Sequence, residues 1–138
     1  MSYGPDIRKS LRAAASVSAY RVCSPDTALS DAFVRAIQFP TLTSLILGIS
    51  QDVASTDGAL PIISVGYAKA AAGASVSAGA ILIPVTTTGY VIEGTATYDT
   101  GTTAVPRHVG MALQNASLTD AALEVFVTIH QVRKVAFA

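Results

Sequence analysis

Charge is what this chain has least of. Only 13% of its 138 residues are Asp, Glu, Lys or Arg, against roughly 25% in an ordinary soluble domain. The nine basic and nine acidic side chains cancel, so the basic excess of a nucleic-acid binder is missing. Cysteine is nearly absent too. Cys23 stands alone, which excludes an intrachain disulfide and reads as a small buried hydrophobe beside Val22. A long apolar run is also lacking: the most hydropathic stretch, 59–85, is broken by Pro61, Lys69, Gly73, Gly79 and Pro84, so no membrane-spanning helix is expected. The N-terminus, with Arg8, Lys9 and Arg12 before AAASVSA, lacks the strong apolar core of a signal peptide and carries Asp6.

Catalytic constellations are missing as well. The two histidines, His108 and His130, have no Cys-x-x-Cys or third ligand type nearby, so no metal site is indicated. The carboxylates Asp52, Asp57, Glu93, Asp99 and Asp120 are scattered among turn residues. No Gly-x-Ser-x-Gly elbow and no phosphate-binding loop appear. Gly73, Val76, Gly79 and Leu82 echo the spacing of biotinyl or lipoyl carrier domains. Lys69, however, precedes that pattern instead of occupying a hairpin tip. The expectation is a protein without enzymatic activity and without a cofactor.

What remains is a surface of Ala, Ser, Thr and Gly over short β-rich runs. Such a surface, poor in charge, is common in proteins that assemble. Strands are expected at 16–22, 45–49, 60–67, 81–83, 90–92, 109–113 and 123–132. Residues 32–37 form another candidate strand, with a helix from Ser30 as the alternative. The last run is the clearest: Leu123, Val125, Val127 and Ile129 share one face, and Glu124, Phe126, Thr128 and His130 the other. Ser24-Pro25-Asp26 reads as a turn. The fold class expected is all-β, a small sandwich or barrel of short antiparallel strands. Residues 1–13 form an N-terminal arm, extended or with one helical turn capped by Asp6, and 14–138 a single domain.

Two stretches resemble each other: LGISQDVASTDGALPIISV from Leu47 and VGMALQNASLTDAALEVFVTI from Val109. Gly48 matches Gly110. After one inserted residue, Asp57, Ala59 and Leu60 match Asp120, Ala122 and Leu123. Each unit reads as strand, turn and strand, with Ser, Thr and Asp satisfying the turn backbone. Gly48 and Gly110 are expected where a side chain would disturb strand packing.

The stretch GYAKAAAGASVSAGAILIPVTTTGYV, followed by VGMALQNASLTDAALEVFVTI, is similar to the decoration (cement) proteins of tailed-phage heads. The resemblance covers about 45–132 and rests on Val76 to Gly79, Gly89 to Val91, Val109 to Ala116 and Leu123 to Ile129. It implies a β-rich homotrimer on the outer surface of the virion capsid, assembled in the host cytoplasm. Its partner would be the major capsid protein, whose neighbouring subunits it would cement to stabilise the DNA-filled head. No nucleic-acid or membrane partner is implied. The first 45 residues carry Arg8, Lys9, Arg12, Arg21 and Arg35 against Asp6, Asp26 and Asp31. Arg8, Lys9 and Arg12 are therefore the candidate capsid contacts, since a basic segment can pair with an acidic shell. Asp99, Thr100 and Gly101 are the candidate exposed loop. The alternative is a trimeric fibre, receptor-binding or adhesin module, against which the dispersed tyrosines and the lack of long repeats count.

Overall fold

The structure, a computed structural model, describes residues 7–26, 34–38, 45–94, 107–117 and 121–131. They form an all-β, curled antiparallel sheet of nine strands: β1 (Ile7–Arg12), β2 (Val22–Asp26), β3 (Arg35–Gln38), β4 (Gly48–Ser50), β5 (Ala59–Ala71), β6 (Ile81–Pro84), β7 (Val91–Glu93), β8 (Arg107–Ala112) and β9 (Ala122–Gln131). The sheet order is β3-β2-β4-β5-β9-β8-β6-β7, with β1 also on β5. Two strands are not short. β5 has 13 residues and β9 has 10.

The long β5 is the spine because it belongs to two copies of one motif. Its first half pairs with β1 and β4, its second half with β9. In the first unit, β5 pairs with β4, β4 with β2 and β2 with β3, and a parallel bridge from Ala13 to Ala36 curls the unit back on itself. In the second, β9 pairs with β8, β8 with β6 and β6 with β7, and the parallel bridge Ala72 to Val91 repeats the closure. The registers agree residue by residue. Cys23 opposite Gly48 recurs as Leu82 opposite Gly110, and Leu11 opposite Leu60 as Ala70 opposite Leu123. The antiparallel bridge Val17 to Ala54 recurs as Val76 to Ala116.

Each unit buries its inward positions. Leu60, Ile62, Cys23, Ala13, Val17 and Ala36 make one cluster, and their counterparts Leu123, Val125, Leu82, Ala72, Val76 and Val91 lie in the other. On β9 the buried and exposed residues alternate as the sequence pattern requires: Leu123, Val125 and Val127 in, Glu124 and Thr128 out.

Three local expectations change. The first strand after β1 is Val22–Asp26, not 16–22, because Tyr20 adopts φ 63° and interrupts extension. Its counterpart is Gly79 at φ 87°, where glycine reaches that region without strain. Ser24-Pro25-Asp26 lies inside β2 instead of forming a turn. Pro25 is tolerated because β4 reaches only Val22 and Cys23, leaving Pro25 on a local edge. Pro84 repeats this in β6, where β8 reaches only Ile81 and Leu82. The candidate strand over 32–37 is present as Arg35–Gln38, held by its register with β2, and the helical alternative is not taken up there. Of the expected arm, residues 1–6 lie outside the described residues and 7–12 run as β1 along β5 instead of forming a helical turn.

Gly48 and Gly110 occupy the same place in the two units. A Cβ on Gly48 would collide with the Ile63 carbonyl oxygen and stand 2.7 Å from Ile62 Cγ2. On Gly110 it would collide with the Phe126 carbonyl oxygen and stand 3.1 Å from Val127 Cα. Backbone on the facing strand cannot swing aside as a side chain can. Gly48→Val and Gly110→Val are each expected to cost at least about 3 kcal/mol, read as loss of soluble yield or an early urea transition. Wild-type unfolding curves for both would contradict this packing.

Candidate assembly surface

The two units meet along a seam of backbone and charge-assisted contacts. Ala71 N–H donates to the Tyr20 carbonyl at 2.9 Å, and Val22 N–H to the Gly89 carbonyl at 2.8 Å. Gln51 bonds the Lys69 backbone twice, accepting from its N–H at 3.2 Å and donating to its carbonyl at 3.1 Å. Arg21 donates to the Thr88 carbonyl at 3.0 Å while its guanidinium lies 4.0 Å from the centre of the Tyr90 ring. Gly89, at φ 70°, brings the turn this close: a Cβ there would stand 2.9 Å from the Val22 carbonyl oxygen. Ser50, fully buried, joins the seam to the first unit by accepting from Arg21 N–H and donating to the Ser18 carbonyl. Cys23 is fully buried, and desolvation pushes its thiol up to about 12. It is therefore a poor nucleophile and metal ligand at neutral pH.

The sequence-derived candidates are dispersed. Lys9 and Arg12 are exposed on β1, opposite Ile62 and Ala59. Strand alternation puts them on opposite faces, so they do not form one patch. The Arg8 backbone pairs with Ile63, and its side chain lies outside the described part. Asp99, Thr100 and Gly101 lie outside the described residues. Asp57 is ion-paired with Arg35, Glu93 accepts from Ser77 N–H at 2.6 Å, and Asp52 accepts from Val53 N–H. Among the described residues, no group of three or more His, Cys, Asp or Glu is placed to hold a metal ion.

The feature that sequence reasoning missed is an apolar row across four strands of the second unit. Ile81 is opposite Met111, Met111 opposite Phe126, and Phe126 opposite Tyr67. Ile81, Met111 and Tyr67 are 38%, 42% and 58% exposed, and the Tyr67 and Phe126 rings meet edge to face at 5.3 Å. Beside the row an open groove of about 440 Å³ is lined by Tyr20, Gln51, Tyr67, Lys69, Leu113 and Glu124. The corresponding row in the first unit, Val22 opposite Ile49 opposite Ile63, is buried to 1% or less. It shares one core cluster with Leu82, Val91, Leu123 and Val125 of the second unit. A sequence signal for this equivalence exists: SVSA occurs at 16–19 and again at 75–78, and a proline follows each at the same spacing, Pro25 and Pro84.

No family model matches the chain, and no curated protein matches it. Among solved structures it is similar to the crystal structure of the head fiber gp8.5 N base in bacteriophage phi29. The TM-score is 0.63 at 14% identity, over 94% of this chain and 100% of that one. At this identity the likeness is one of fold, extending over essentially the whole of both chains.

Equivalent positions in the two rows should respond differently to truncation. Ile49→Ala is expected to cost about 2–5 kcal/mol, while Met111→Ala should stay within about 0.5 kcal/mol in the separated chain. Urea unfolding of both variants measures this. Equal costs would contradict the burial difference.

Proposed function

We propose that this chain is a structural protein of a tailed-phage head. It binds the outer capsid surface as a homotrimer and cements neighbouring major capsid subunits, without catalytic activity or cofactor. The observation that carries this reading is the whole-length fold likeness to the base of a phage head fiber. The resemblance of 45–132 to decoration proteins supports it independently, as does a surface of small residues with little charge. A subunit that binds only the assembled lattice stabilises that lattice by mass action, and repetition turns modest contacts into avidity.

A second reading is favoured by the same neighbour, which is a fiber base: this chain would anchor a projecting fibre to the head. Both readings share the capsid-bound surface and differ in what lies outward of it.

Binding of the purified chain to purified expanded capsids, followed by co-sedimentation, tests the shared claim. Deleting residues 1–12 would remove β1 from the sheet, so charge reversal on intact strands is the sharper probe. Lys9→Glu is expected to weaken pelleting at least about tenfold at low salt, with less effect at high salt. Unchanged pelleting would remove Lys9 from the contact. Failure of the wild-type chain to pellet would remove the capsid assignment.

A further inference from the structure

The duplicated fold shows within one chain how an apolar row of this kind is covered. In the first unit, Val22, Ile49 and Ile63 lie against the second unit and are excluded from water. In the second unit, the same register positions are Ile81, Met111 and Phe126, of which Ile81 and Met111 are exposed and Phe126 is half-buried beneath the edge of Tyr67. Leu113 and Val65, 38% and 36% exposed, extend the apolar surface. The row stays apolar across four strands with three of its four residues, Tyr67, Ile81 and Met111, exposed, which makes it a candidate surface for a partner.

We propose that the partner is the first unit of a second copy of this chain, seated on the row as the second unit is seated on the first within one copy. This rests on the self-association in the functional reading above and not on the capsid. The seam inside the chain fixes the register. Ala71 and Lys69 meet Tyr20 and Gln51 there. By the pairing of the two units, their counterparts are Arg12 and Ser10, facing Gly79 and Leu113 of the next copy. The contact is head-to-tail, because the row belongs to the second unit and the receiving β1 to the first. Such contacts join successive copies into a closed ring where the rotation allows. Ser10 and the exposed row sit on opposite units of each copy, so one copy offers both halves of the contact at once.

Sedimentation equilibrium of the full chain, free of capsids, is the first readout. The expected result is a concentration-dependent oligomer whose dissociation constant rises at least about tenfold in Met111→Asp, with circular dichroism matching wild type. The double variant Ser10→Cys with Leu113→Cys supplies a test that leaves the row intact. Oxidation should join copies through disulfides, and neither single variant should form the head-to-tail ladder. A chain that stays monomeric to its solubility limit overturns the inference, as does an oligomer that neither Met111→Asp weakens nor the cysteine pair traps. Met111-dependent pelleting of a monomer with capsids would overturn it too, by giving the row to the shell. Self-association without capsid binding would leave this inference standing and remove only the functional reading.

Discussion

Everything else in this fold depends on one docking event, the burial of the Val22–Ile49–Ile63 row against the second unit. Each residue excluded from water there contributes roughly 1.5–3 kcal/mol, which a small alanine-rich unit could not readily supply by itself. The docking explains why β5 is long. One strand crossing from the first unit into the second keeps the two from separating, and the Arg21, Gln51 and Gly89 contacts then set their register. It also explains why two similar units have different surfaces: one has its outer row covered, and the other presents the same row to water.

The composition follows from this architecture. Alanines at 68, 70, 71 and 72 let strands and the facing unit approach closely where larger side chains would hold them apart. A chain with few charges and many small residues has little means of repelling copies of itself. Surfaces of this composition are common in proteins that assemble. Cys23, the most reactive side-chain type present, is held buried and protonated.

Much of the fold was legible in the sequence, and for definite reasons. The alternation in LEVFVTIHQV located β9, and the β-branched run after Leu60 located most of β5. Gly48 and Gly110 with their downstream turns marked the β4–β5 and β8–β9 hairpins as related. The relation stopped short of the full duplication because SVSA is a four-residue match with divergent flanks, in which Tyr20 stands where the other unit has Gly79. The strand expected over 16–22 failed at that tyrosine, whose φ no local pattern announces. The apolar row was illegible for a deeper reason. Val22 and Ile81 look alike along the chain, and only docking between units, a contact distant in sequence, buries one and exposes the other. The basic residues were visible, but a strand sends Lys9 and Arg12 to opposite faces, which clustering in sequence does not reveal.

The central claim is that this chain is a stoichiometric part of a phage head. It is tested most directly by fractionating native particles on a density gradient and quantifying the chain against the major shell protein in each fraction. The account predicts a fixed ratio in DNA-filled particles, with many copies per head. A chain that remains in the soluble or membrane fraction, away from particles, would contradict it.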